Sequence, residues 1–445
     1  MFTEEAEKYL NSLLKEDSEL DFKIKYGTEM YRKGFGHFTL RDKDGNDIPG
    51  ATIKLKQKNH EYKFGCNAFM IDSFPEAEQN QQYEETFASI FNLAVVPFYW
   101  SDLEPEPGKP RFGVNSPFIY RRPAPDRVLE FCKKYNITPK GHPLCWHHRL
   151  FAPEWVPQNS REVMRFLARR FEQIAERYAD QIPIWDVVNE VLTHHPEARK
   201  KRLVLPPDYA ERCFKLAEKY FPFNQKIYND DSVWWDYEGD YSPVYMLVKH
   251  LIDRGCQVDG LGLQYHMFAN MLQDNCIGIN RPLSPSCVWR VLDQYAKLGI
   301  PLNMSEVSLL SYRSLGDGDE FQALALERLY RLWFSHPATE AIVWWNLVDG
   351  TAACAPMGSE EGENRLRAGL VNYDFTDKKA CKVLRRLINE EWHTETAIEY
   401  RAGGDNRFHG FYGEYEAEIT TGNGTFSRTV DLSKHSFNEF VITLE

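Results

Sequence analysis

Ile184-Trp185-Asp186-Val187-Val188-Asn189-Glu190 is an apolar run that ends abruptly in an amide and a carboxylate. Its β-branched and aromatic residues are too few for a helix, so the run reads as a buried strand with its polar end at the C-terminus. In parallel barrels that end carries the chemistry, which makes Glu190 a candidate catalytic group. A second run, Ile300-Pro301-Leu302-Asn303-Met304-Ser305-Glu306, repeats the pattern and brings a second glutamate to the same face. Two such glutamates suggest a catalytic carboxylate pair.

Working outward, short apolar runs at 64–68, 93–98, 139–145, 184–189, 225–230, 260–265, 301–305 and 341–346 alternate with amphipathic segments. In residues 160–179 Val163, Phe166, Leu167, Phe171, Ile174, Ala175 and Tyr178 recur at helical spacing behind Ser160, a candidate N-cap. Similar patterns occupy 208–220, 243–254, 285–298, 319–335 and 378–389. Eight strands interleaved with helices predict an α/β fold, a (β/α)8 TIM barrel. At 445 residues the chain exceeds what a barrel needs. Both ends look antiparallel, with His37-Phe38-Thr39-Leu40, an Asp-Gly turn and Ala51–Lys56 at one end, and Gly410–Ile419 and Phe440–Leu444 at the other. We therefore expect an N-terminal helix over 1–22, annex strands over 23–63, the barrel over 64–392 and further annex strands over 393–445. The two sets of strands would form one small β-sandwich.

The formal net charge is −12 and there is no long basic run, which argues against nucleic acid or an anionic membrane as partner. Nine dispersed cysteines, without CxxC, read as reduced buried thiols, not a disulfide framework or zinc site. The acidic, amphipathic start lacks the features of a secretion signal, so a cytoplasmic location is expected for the chain as given. The acidic stretch Asp230, Asp231, Asp236, Glu238, Asp240 lacks EF-hand spacing and reads as a solvated loop, with Trp234 and Trp235 as weak candidates for substrate contact.

The strand ends collect Cys66-Asn67, Tyr99-Trp100, Trp146-His147-His148, Asn189-Glu190, Asn229-Asp230, Gln264-Tyr265-His266, Glu306 and Trp344-Trp345-Asn346. Nothing here is a phosphate loop, an HExxH or a thiol-imidazole couple, so neither cofactor nor metal is expected. Amides and imidazoles hydrogen-bond hydroxyls, tryptophan faces stack on sugar rings, and two carboxyl groups can cleave an acetal. A carbohydrate partner follows.

These segments resemble glycoside hydrolase family 10, the xylanase family. The resemblance is carried in order by Phe91-Asn92 leading to Trp100, Glu104-Pro105 with Gly108, Gly141-His142-Pro143-Leu144-Cys145-Trp146-His147, Trp185–Glu190, Gly262-Leu263-Gln264-Tyr265-His266, Ser305-Glu306, and Trp345-Asn346 with Asp349. It implies Glu190 as general acid/base and Glu306 as nucleophile of a retaining reaction, with Asn189 on the 2-hydroxyl. It further implies His266 and Gln264 beside the nucleophile, and His142, Trp146 and Trp345 around the glycone sugar. Asn229, at the end of its strand, joins the candidate substrate-binding set. The family's Glu-Asn-x-Leu/Met-Lys-Trp is absent, for Ala94-Val95-Val96-Pro97-Phe98-Tyr99-Trp100 stands there and Tyr99 takes the lysine's place. Ser305-Glu306-Val307-Ser308 replaces Thr-Glu-x-Asp, and the tryptophan after the eighth strand is missing. The expected function is a retaining β-glycoside hydrolase of xylanase type. The alternatives are the same mechanism on another β-linked glycan, or a glycan-binding protein without catalysis.

Overall fold

The computed structural model of the protein describes residues 1–192, 202–231, 241–267, 283–353 and 355–444. Eight parallel strands close on themselves: β3 (Lys63–Asn67), β4 (Leu93–Pro97), β5 (Thr138–His142), β7 (Ile184–Asn189), β8 (Gln225–Asp230), β9 (Gly260–His266), β10 (Leu302–Ser308) and β11 (Thr339–Trp344), with β11 pairing back onto β3. The two-residue β6 (Cys145–Trp146) continues the line of β5 along β7 beyond Pro143, a residue with no N–H to give to a ladder. Pairing is tight because two glycines make room for larger neighbours. A Cβ on Gly141 would lie 2.1 Å from the Trp185 ring, and one on Gly262 would lie 2.2 Å from Asn229 Oδ1.

The helices fall between the strands as their periodicity predicts, over Ser160–Tyr178, Tyr209–Tyr220, Pro243–Asp253, Pro285–Ala296, Gly318–Ser335 and Lys379–Arg386. The cap of the first is Asn159, not Ser160: its side chain accepts from the amides of Arg161 and Glu162 at 3.1 and 3.2 Å. Two further helices, Ala77–Ala88 and Pro125–Tyr135, were not expected. The first buries little besides Tyr83 and Phe87, so its apolar stripe is thin.

The N-terminal expectation needs correction. Residues 1–22 are not one helix, and 23–32 are not strand: helix Glu4–Leu13 is followed by helix Ser18–Arg32, capped by Asp17 through the Leu20 amide at 3.0 Å. The alternation in Asp21-Phe22-Lys23-Ile24-Lys25-Tyr26 imitates a strand, yet the buried residues are Leu20, Ile24 and Gly27, at helical spacing, while Phe22 and Tyr26 face solvent. Gly27 lets this helix touch the Ser335 carbonyl, where a Cβ would sit 2.5 Å from the oxygen. At its end Arg32 is buried and donates to the carbonyls of His336 and Thr339, which ties the helix to the barrel.

The annex is a β-sandwich drawn from both ends of the chain. One sheet has the order β13 (Arg407–Phe411), β1 (Lys33–Arg41), β16 (Glu439–Thr443); the other runs β12 (Glu395–Arg401), β2 (Gly50–His60), β14 (Gly413–Thr421), β15 (Gly424–Leu432). Alternate residues of the two sheets, among them Phe38, Leu40, Ile53, Leu55, Phe408, Tyr415, Ile419 and Leu432, close a core of their own. The barrel begins one residue earlier than expected, since Lys63 already pairs in β3. Among the described residues no helix is long and apolar enough to cross a membrane.

Candidate active site

The C-terminal ends of the barrel strands surround a cavity of about 590 Å³. Tyr99, His142, Trp146, Asn189, Glu190, Gln264, His266, Glu306 and Trp345, all singled out from the sequence, stand in its wall. Asn229 does not line the cavity. It is fully buried behind the wall, and its amide donates to Glu306 Oε1 and to Asn189 Oδ1, both at 2.8 Å, while its own oxygen accepts from Ser305 Oγ at 2.5 Å. Every hydrogen-bonding group of that side chain faces protein, so Asn229 positions other residues and does not meet a ligand.

Both glutamates sit in the left-handed backbone region, with φ of 52° at Glu190 and 56° at Glu306. That region is unfavourable for a residue with a Cβ and is tolerated where the surrounding structure imposes it. At Glu306 the cause is visible. Ser305 pairs with Gln264 and Val307 with Tyr265, so Glu306 is an extra residue in a bulge that turns its side chain into the cavity. Glu190 directly follows β7 and is held by its amide on the Asn229 carbonyl at 2.9 Å.

Glu306 Oε1 accepts from Asn229 and from Gln264 Nε2 at 2.8 and 3.0 Å, and Oε2 lies 3.2 Å from His266 Nε2. The Ser308 hydroxyl contacts His266 Nδ1 at 2.9 Å and orients the ring. The same Gln264 nitrogen reaches Glu190 Oε1 at 3.3 Å. Two oxygens that share one donor cannot lie further apart than those two bonds end to end, so the two carboxyl groups meet at close range across Gln264. Asn189 Nδ2 lies 3.2 Å from Glu190 Oε1. Burial, then the charges of Asp231 and Glu306, push the Glu190 carboxyl well above the ordinary range, and the Gln264 bond offsets this only in part. The Glu190 carboxyl therefore holds its proton to higher pH than an ordinary glutamate.

Behind Glu306, His142 points Nε2 at Oε1 from 3.8 Å and Nδ1 at Asp186 Oδ2 from 2.8 Å, and Lys140 pairs with Asp186 at 2.9 Å. Burial alone would raise the Asp186 pKa, but Lys140 and His142 outweigh it and hold Asp186 below the usual carboxylate range. A buried charge relay of this kind fixes the imidazole that faces the nucleophile position. The aromatic wall is equally ordered. Trp146 stacks on Phe151 with centroids 4.0 Å apart, and the rings of Phe69 and His142 stand nearly perpendicular to Trp345 at 5.4 and 5.6 Å.

Several wall residues were not foreseen as site residues, among them Asp231, Arg121 and Arg122. Asp231, at the end of β8, is raised to about 7 by burial and then by Asp230 and Glu306, and its Oδ1 has no hydrogen-bond partner among the described residues. Arg121 and Arg122 come from the long connection after β4; Arg122 lies over the Tyr99 ring at 3.9 Å and pairs with Asp102 at 3.0 Å. Asp231 adjoins a strand end and was legible as such. The arginines carry no local signal. The candidate loop residues Trp234, Trp235, Asp236, Glu238 and Asp240 lie outside the described residues.

A closed parallel barrel with two close carboxyl groups at its C-terminal mouth, one of them with its pKa raised by burial and acidic neighbours, is the arrangement of a barrel glycoside hydrolase. The model of glycosyl hydrolase family 10 matches residues 56–385, and the chain belongs to that family. It is 26% identical over 392 residues to endo-1,4-beta-xylanase 2 of Arabidopsis thaliana, which covers 86% of this chain and 32% of that protein. It is also 26% identical over 354 residues to endo-1,4-beta-xylanase B of Thermotoga neapolitana, covering 78% of this chain and 93% of that one. The chain thus spans only about a third of the Arabidopsis relative. Among solved structures, native xylanase 10B from Thermotoga maritima superposes with a TM-score of 0.58 at 22% identity, over 74% of this chain and 96% of that one. That likeness speaks for the fold.

Proposed function

We propose that the protein is a retaining β-glycoside hydrolase in which Glu190 is the acid/base and Glu306 the nucleophile. The observation that supports this reading is the single Gln264 amide within hydrogen-bond reach of both carboxyl groups, which brings one oxygen of each close to the other. Glu190, whose pKa is raised by burial and by its acidic neighbours, gives its proton to the leaving glycosidic oxygen. Glu306 attacks the anomeric carbon and forms a glycosyl-enzyme. Glu190, now ionised, takes a proton from the water that releases the sugar, which restores both groups. Asn189 is placed beside Glu190 to bind the 2-hydroxyl, a bond that strengthens as charge develops on the ring. Trp146 and Trp345 provide ring faces for the sugar, and His142 and Gln264 its hydroxyl partners.

Xylan is the first substrate to test, and the names of the relatives favour it. The glycone side favours a different or decorated β-linked glycan. Val96, Pro97 and Phe98 offer that sugar no side-chain hydrogen bond, and Tyr99 is packed under Arg122 among Phe69, His142 and Phe151. A buried polar partner lost from a subsite costs about 1–3 kcal/mol, so plain xylan should be cut more weakly than another member of a panel of aryl β-glycosides and β-linked polysaccharides. No hydrolysis of any member by the folded protein would refute the reading. Hydrolysis with unsubstituted xylan as the best substrate would refute only the expectation about the glycone.

A further inference from the structure

We propose that the glycone end of this cavity binds a carboxylate, so that the glycan carries a uronosyl unit there, as a main-chain sugar or a branch, and Arg121 reads it. This rests on the hydrolase reading of the site and names its substrate class.

Arg121 stands in the cavity wall with 4% of its surface exposed and a backbone φ of 60°. Its Nη1 donates to Asn346 Oδ1 at 3.0 Å and to the Thr351 carbonyl. Its Nε has no partner, and among the described residues no carboxylate lies within the 4.0 Å of an ion pair. The other arginines of the wall differ: Arg122 is neutralised by Asp102 at 3.0 Å and Arg367 by Asp349 at 3.5 Å. Glu363, on the cavity rim, is felt by Arg121 only at longer range.

A buried cation without a counter-ion is costly to keep, and neutral bonds to an amide and a carbonyl do not discharge it. With Nη1 engaged and Nε closed to water, Nη2 is the end of the guanidinium left to give a charge-assisted bond to a carboxylate. The location fits a sugar substituent. Asn346 follows β11 and is bonded by Asn67 of β3 at 3.4 Å, and Phe69, Tyr99 and Trp345 surround the same corner. This is the sector where the second barrel strand supplies almost nothing to neutral hydroxyls. A spare cation takes the place of hydroxyl-binding groups.

The test compares glucuronosyl-substituted xylotriose with its carboxyl-reduced form, and 4-nitrophenyl β-glucuronide with the β-glucoside. Each pair is measured as kcat/KM on the wild type and as Kd by calorimetry on Glu306→Gln. In at least one pair the acid should be favoured about 10- to 100-fold, the worth of one charge-assisted pair. Arg121→Gln should bring the ratio near one, with Arg121→Lys in between. Because a buried arginine variant can fail to fold, Asn346→Asp is the second arm: it gives Arg121 a counter-ion within the protein and should also bring the ratio near one. Ratios near one for both pairs in the wild type, or a ratio unmoved by Asn346→Asp, would overturn the proposal. Hydrolysis of neutral glycosides without acid preference would leave the hydrolase reading standing. Acid-preferring binding with no hydrolysis of any probe would refute that reading and leave the carboxylate site.

Discussion

Asn229→Ala tests whether the carboxyl pair is organised from behind the wall. The substitution removes two donors at 2.8 Å, one to the ionisable Glu306 and one to Asn189, and leaves Ser305 Oγ without its acceptor. Gln264 still reaches Glu306 Oε1 at 3.0 Å and Asn189 Oδ1 at 3.2 Å, so neither oxygen is wholly abandoned. A bond to a charged group is worth about 1.5–3 kcal/mol and a neutral one about 0.5–1.5. Roughly 2–4.5 kcal/mol is therefore at stake in the two donated bonds. Part of it should appear as lost stability in a urea melt. The rest should appear in catalysis, because a nucleophile free to rotate and an Asn189 amide free to flip stabilise the transition state less; about 2.7 kcal/mol would lower kcat/KM about 100-fold. The assay is steady-state kinetics on the best aryl β-glycoside, beside the melt. A variant as stable and as active as the wild type would refute the positioning role.

Two further outcomes follow from the acidic groups. Asp231→Asn should move the basic limb of the pH–rate profile to lower pH, because Glu190 loses a like-charge neighbour. The effect should vanish below about pH 7, where Asp231 is itself protonated, and an unmoved limb would show that Asp231 does not act on Glu190. Glu190→Gln should leave stability at pH 4 unchanged and raise the melting temperature at pH 8. The folded Glu190 holds its proton more tightly than the unfolded one, so it costs stability as pH rises through its folded pKa, and glutamine escapes that cost. A variant less stable than the wild type at pH 8 would contradict the desolvated, like-charged environment.

The barrel and its carboxyl pair were legible because buried parallel strands are apolar runs, and the residue that ends the run is the residue at the mouth. Ile184–Asn189 followed by Glu190 shows this directly. Helix Ser18–Arg32 was hidden by a six-residue alternation whose apolar members Phe22 and Tyr26 point to solvent. Helix Pro125–Tyr135 carries a proline in its first turn and Asn136 in the left-handed cap position, both of them boundary signals written in the sequence. Asn229 was placed at the mouth correctly as to strand and wrongly as to direction, since strand ends alone do not say whether a side chain meets the cavity or the wall behind it. The Arg121 site could not be read locally at all, because its partner carbonyl at Thr351 is 230 residues away along the chain.

The most direct test of the account follows the anomeric configuration of the first-formed product by proton NMR during hydrolysis of an active β-glycoside. It is coupled to Glu306→Ala with and without azide. Two close carboxyl groups predict a β-configured product from the wild type, and an inactive Glu306→Ala that azide revives to give an α-glycosyl azide. A first-formed α product, or a Glu306→Ala variant that turns over at the wild-type rate, would contradict the assignment of Glu190 and Glu306 as a retaining pair.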